Sequence, residues 1–70
     1  MDILVFKTNI VDKNQIPLIA KWLSPLNGIL KWNIDWHDKD KILRIESNRL
    51  QPEEVEIILQ KAGYYCEELE

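Results

Sequence analysis

Ile3-Leu4-Val5-Phe6-Lys7-Thr8-Asn9-Ile10-Val11-Asp12-Lys13-Asn14-Gln15-Ile16-Pro17 is the stretch on which the reading of this chain turns. Four apolar, β-compatible residues, Ile3 to Phe6, pass into a polar loop and then into a helical pattern that opens near Asn14. The strand is read over 3–10, with Leu4, Phe6 and Ile10 toward a core and Ile3, Val5 and Lys7 on the other face. Asn14 is the expected N-cap, with Asp12 as its rival. Pro17 then falls in the first turn, where its missing N–H has no intrahelical partner to lose. A strand-to-helix loop exposes backbone N–H groups and flexible side chains on a rigid frame, so it is a common place for a site.

Outward from this stretch, Ile16, Ile19, Ala20 and Leu23 follow helical spacing and form the expected buried stripe, with Leu18 and Trp22 on a flank. Ser24-Pro25 ends the helix, and Asn27-Gly28 marks a turn. Leu30, Trp32, Ile34 and Trp36 then alternate with Lys31, Asn33, Asp35 and His37, the pattern of an antiparallel strand with one wet face. Asp38-Lys39-Asp40 is a hairpin turn into a strand over 41–46, with Leu43 and Ile45 inward.

The second helix carries the fullest set of end signals. Gln51 is the cap, Pro52 the first helical residue, Glu53 and Glu54 the first turn, and Lys61 the last. Leu50 is placed to staple onto Val55, and Val55, Ile58, Leu59 and Ala62 form the buried stripe before a Gly63 cap. Tyr64 to Leu69 is the last strand, at a sheet edge guarded by Glu67, Glu68 and Glu70. The order βαββαβ predicts an α+β, ferredoxin-like sandwich: a four-stranded antiparallel sheet with two helices on one face.

Composition narrows the function classes. Seventy residues, 46% of them hydrophobic, make one domain over 1–70 with enough apolar side chains for one core. No run of about 18 apolar residues exists, so no membrane span is expected. The first residues carry no basic segment ahead of an apolar one, so a cytoplasmic protein is expected. A net charge of −3 argues against nucleic acid, which needs a basic face. The strands expected at the sheet centre carry Leu43, Arg44 and Ile45 where RNA-recognition domains use stacking aromatics.

The chain resembles the heavy-metal-associated domain family, the soluble copper chaperones and the N-terminal modules of metal-exporting ATPases. The resemblance rests on Phe6-Lys7-Thr8-Asn9-Ile10 leading into a helix and on Gly28 to Asp35 as second strand. Lys61-Ala62-Gly63-Tyr64 before the last strand completes it. It implies a metal carrier whose paired cysteines, at the loop and the start of helix one, hold a soft ion such as Cu(I). Aligning Ile10 and Ile16 with their family neighbours puts those cysteines at Asp12 and Gln15. A carboxylate and an amide are hard oxygen donors that do not replace thiolates for Cu(I), so these are degenerate ligand positions. With Asn14 they also fall well short of the roughly 6–8 oxygens of a Ca²⁺ site. No metal and no cofactor is expected; the opposing reading is a copper or zinc carrier using non-cysteine ligands.

Other chemistry is sparse. His37, Asp38 and Asp40 match no defined metal spacing and are flanked by lysines, the composition of a solvated hairpin tip. The single cysteine, Cys66, forms no internal disulfide and reads as a small buried hydrophobe. Acylphosphatases share the βαββαβ order, but the loop after strand one lacks the phosphate-holding arginine that resemblance would require. No catalytic residue is assigned and no enzyme is expected.

What remains is a protein-interaction or regulatory module acting on a protein partner or as a homodimer. Two surfaces are candidates. Ile3, Val5 and Ile42 on the central strands, with Tyr65 beside them, would form an apolar patch on the open face of the sheet. Leu18 and Trp22 would form another on the flank of helix one, where carriers of the resembling family dock their partners.

Overall fold

The computed structural model describes residues 1–69, so the expectation placed on Glu70 lies outside the described residues. Strands β1 (Asp2–Thr8), β2 (Ile29–Asp35), β3 (Ile42–Ser47) and β4 (Cys66–Glu68) form one sheet. Helix α1 (Ile16–Leu23) joins β1 to β2, and helix α2 (Pro52–Lys61) joins β3 to β4. The strand order is β2-β3-β1-β4. All three neighbouring pairs are antiparallel, with β1 against β3 from Asp2↔Ser47 to Phe6↔Leu43. This is the ferredoxin-like βαββαβ arrangement expected from the element order.

The core lies between the helices and one face of the sheet. Leu4 and Phe6 of β1, Leu43 and Ile45 of β3, Ile34 of β2 and Cys66 of β4 meet Ile19 and Leu23 of α1 and Val55 and Leu59 of α2. Alternation along β1 and β3 puts every second side chain on this face, which is why Ile3, Lys7, Arg44 and Glu46 turn the other way. Leu50, just before the α2 cap, is buried in the same core cluster as Val55.

The ends of α2 follow from its sequence. The Gln51 carbonyl accepts the Glu54 N–H at 3.0 Å, and Glu54 Oε2 accepts the Gln51 N–H at 2.9 Å. At the other end Gly63 adopts φ +94, and the Tyr64 and Gly63 N–H groups donate to the Leu59 and Gln60 carbonyls. That paired bonding is the Schellman termination that a glycine permits.

Several expectations are corrected. The first strand stops at Thr8, because the Thr8 hydroxyl accepts the Ile10 N–H and donates to the Lys41 carbonyl. Ile10 is still fully buried, but as an anchor of the loop. Ala20 is exposed; the short α1 faces the core through Ile19 and Leu23, and Ala20 borders a shallow cleft with Ser24, Leu26 and Trp32. Leu30 is 57% exposed, because a bulge between Ile29 and Lys31 breaks the alternation and turns Ile29 toward the core instead.

Candidate functional site

The loop from Asn9 to Gln15 is held from three sides. At its start the Asn9 side chain accepts the Tyr65 N–H at 2.9 Å, tying it to the segment before β4. Thr8 ties it to the β2–β3 hairpin through Lys41. Beyond Ile10 the chain makes a single 3-10 turn, Lys13–Gln15, that runs straight into α1.

The cap of this turn is Asp12, so of the two candidate caps the acidic residue takes the role and Asn14 sits inside the turn. Asp12 Oδ1 accepts the Asn14 N–H at 2.8 Å. Gln15 Oε1 reaches back and accepts the N–H groups of Val11 and Asp12 at 3.2 and 3.1 Å. The two side chains form a reciprocal capping box, the arrangement that Asp-x-x-Gln encodes. That signal was present in the sequence and accounts for both residues without a ligand.

Asp12 and Gln15 are thus adjacent but spent. Each directs an oxygen at backbone N–H donors, and the donor set consists of hard oxygens only. These residues do not fit a soft metal ion. Among the described residues, no group of three or more His, Cys, Asp or Glu side chains is arranged to hold a metal. His37 and Asp38 are part of a turn in which Asp35 Oδ1 accepts the His37 N–H and Asp38 Oδ1 the Asp40 N–H.

Gln15 serves two donors, so Gln15→Ala is expected to lower stability by about 1 kcal/mol, within the usual range for a lost cap. Urea unfolding of the two proteins measures it. An unchanged midpoint would show that the turn does not depend on the box.

The structure separates the open-face residues instead of gathering them. Ile3 and Tyr65 are 49% and 45% exposed, Val5 is half-buried, and Ile42 is only 8% exposed. Ile42 opens β3, paired with Asp35 at the end of β2, and has little free surface. Ile3 opens β1, whereas Tyr65 lies past its far end, since Thr8 pairs with Cys66. About 20 Å of strand lies between them at roughly 3.3 Å per residue. Tyr65 is also engaged: its hydroxyl donates to the Glu67 carboxylate, which keeps the phenol protonated and raises its pKa. The four do not form one patch.

Leu18 and Trp22, one turn apart on α1, do stay together. They are 54% and 39% exposed and line a shallow cleft of about 450 Å³ with Lys21 and Pro25. Val11, 69% exposed and next to Asp12, adds an apolar residue at the loop that sequence reasoning passed over. An apolar residue in a polar loop gives no periodic signal.

Cys66 is 2% exposed on the helix-facing side of β4. Burial, with Glu56 nearby, pushes its thiol from about 9 up to about 12. The neutral form is therefore favoured in the fold, and the stability this brings is complete below the unfolded thiol pKa. It is lost as pH rises from about 9 toward about 12. Cys66→Ser should reduce the slope of stability against pH in that window, read from urea midpoints at successive pH values. Equal slopes would contradict the assignment. In the native protein the thiol should also resist alkylation at pH 8.

No protein-family model matches the chain, and no curated protein matches it. Solved structures do. The yeast copper transporter domain Ccc2a, studied in apo and Cu(I)-loaded states, superposes with a TM-score of 0.79 at 17% identity. The match covers 97% of this chain and 94% of that one. The N-terminal domain of ZntA in its Zn(II) form gives 0.76 at 19%, over 94% and 89% of the two chains. The apo HMA domain of the copper chaperone for superoxide dismutase gives 0.74 at 16%, over 97% and 66%. At these identities the likeness is one of fold.

Proposed function

We propose that this chain is a non-catalytic protein-interaction module, built on the frame shared with those metal-handling domains but without their soft-metal chemistry. The observation that carries this reading is the Asp12–Gln15 capping box. The loop that a metal-handling domain of this shape would present to an ion is here closed by its own side chains. The frame around it is kept, and two of its exposed apolar residues, Leu18 and Trp22, lie on the helix that the loop feeds. Protein contact in the cytoplasm is the use that this combination supports.

Capture of partners from native lysate on immobilised protein tests the proposal. It is run with a metal chelator, with added Cu(I) and with added Zn²⁺, for the parent chain and for Leu18→Glu with Trp22→Glu. A partner retained in chelator and lost in the double variant supports the module. A partner captured only with metal overturns it in favour of a carrier with non-cysteine ligands.

A further inference from the structure

The outer edge of β2 carries a charge pattern that is its own complement. β2 ends the sheet, so among the described residues one side of its backbone has no neighbouring strand. Hydrogen bonding elsewhere shows which groups face that side. The Leu69 N–H donates to the Val5 carbonyl, so Val5 turns its backbone groups toward β4. Val5 therefore meets Arg44 as a non-hydrogen-bonded pair, and Arg44 turns its own groups toward Asn33. It follows that Trp32 and Ile34, the residues on either side of Asn33, present N–H and C=O to the open edge.

We infer that this edge pairs with β2 of a second copy of the chain, antiparallel, about a two-fold axis at Asn33. In that register Trp32 of each copy exchanges backbone hydrogen bonds with Ile34 of the other. Lys31 of each then stands directly opposite Asp35 of the other, in the closer, non-hydrogen-bonded kind of pair. Both side chains are exposed, on the same face as Asn33. Neither takes part in an ion pair among the described residues, where Lys7–Asp40 is the one found. Asp35 is held on the strand by accepting the His37 N–H at 3.0 Å. A lysine and a bulge usually keep a strand edge single. Here the bulge ends at Lys31, leaving 31–35 regular, and the two-fold gives the lysine a carboxylate. A second copy is favoured over an unrelated strand because one axis satisfies both charges twice. The inference concerns the opposite side of the sheet order from β4 and does not depend on Leu18, Trp22 or any metal.

Sedimentation velocity on the full chain, with amide chemical shifts followed over the same concentrations, tests it. A five-residue pairing is a small interface, so self-association is expected over about 0.1–1 mM at low salt. Trp32 and Ile34 amides should shift most. Lys31→Asp alone and Asp35→Lys alone each create two like-charge pairs and should weaken association about tenfold or more. An equimolar mixture of these two variants restores both opposite-charge pairs in the heterodimer and should associate as the parent does. Lys31→Glu with Asp35→Arg provides a second set if either variant fails to fold by circular dichroism. A parent chain that stays monomeric throughout, or a mixture no stronger than its components, would overturn the inference.

Discussion

Asp12→Cys combined with Gln15→Cys is expected to yield a chain that binds Cu(I) with a dissociation constant below about 1 µM, more than about 8 kcal/mol, and the parent is expected to show no such affinity. The two positions span one 3-10 turn, and their side chains already converge on it. Cysteines placed there would bring two thiolates, the donors that select Cu(I), to the same turn. Unpaired N–H groups at the start of the turn would favour the thiolate forms. The substitution removes the capping box, so the metal-free variant should be less stable than the parent by about 1–2 kcal/mol. Copper should then return more than was lost, because an ion that binds only the folded state stabilises it. Competition against a chromophoric Cu(I) chelator under anaerobic conditions gives the affinity, and thermal melts with and without copper give the linkage. A double variant that folds but takes no copper would show that this turn does not present side chains as the resembling carriers require.

Gly28→Ala should cost on the order of 3 kcal/mol, a large share of the stability of so small a domain. Gly28 has φ +98, a conformation in which a Cβ is strained. That Cβ would also run into the Asn48 carbonyl oxygen, a backbone atom that cannot swing aside. Asn48 is fixed by donating its N–H to the Gly28 carbonyl at 2.8 Å, so relief requires moving the start of the β2–β3 ladder. Gly63 is the matched control. Its φ is +94, but among the described residues nothing lies within 4 Å of where a Cβ would sit. Gly63→Ala should therefore cost only the conformational part, about 1 kcal/mol. At roughly 4–8 °C per kcal/mol, Gly28→Ala should lower Tm by about 12 °C or more and Gly63→Ala by clearly less. Equal losses would mean that close approach to Asn48 contributes nothing.

The elements were legible because their signals are local. Gln51-Pro52-Glu53-Glu54 and Ala62-Gly63 mark the ends of α2 through cap, proline and glycine chemistry, and the structure places its bounds there. Alternation in Leu43 and Ile45 gave the inward face of β3 for the same reason. Leu30 was not legible, since a bulge inserts one residue without changing the apparent alternation of the sequence. Nor was the burial of Ile42, which sits on the open-face side of the strand alternation and yet is 8% exposed. Distances along β1 undid the proposed patch, because Ile3 and Tyr65 share a face but not a place. At the loop, the chemistry was legible from the donor types alone: two oxygen side chains and no thiol. Their engagement in a capping box was encoded by Asp12-x-x-Gln15 but competed with Asn14 for the cap, and only geometry decides between caps two residues apart. The free edge of β2 depends on which backbone groups point outward. That is set by pairing partners far away in sequence, such as Leu69 with Val5.

The claim that the loop is closed to soft metal is tested most directly by Cu(I) titration of the parent chain against a competing chelator, with backbone amide shifts recorded at each step. The chelator is expected to keep the copper at micromolar protein, and the Val11, Asp12 and Asn14 amides, held by the capping box, are expected not to move. Stoichiometric binding below about 1 µM with shifts at those three amides would contradict it, because the box would have to open to supply the ligands.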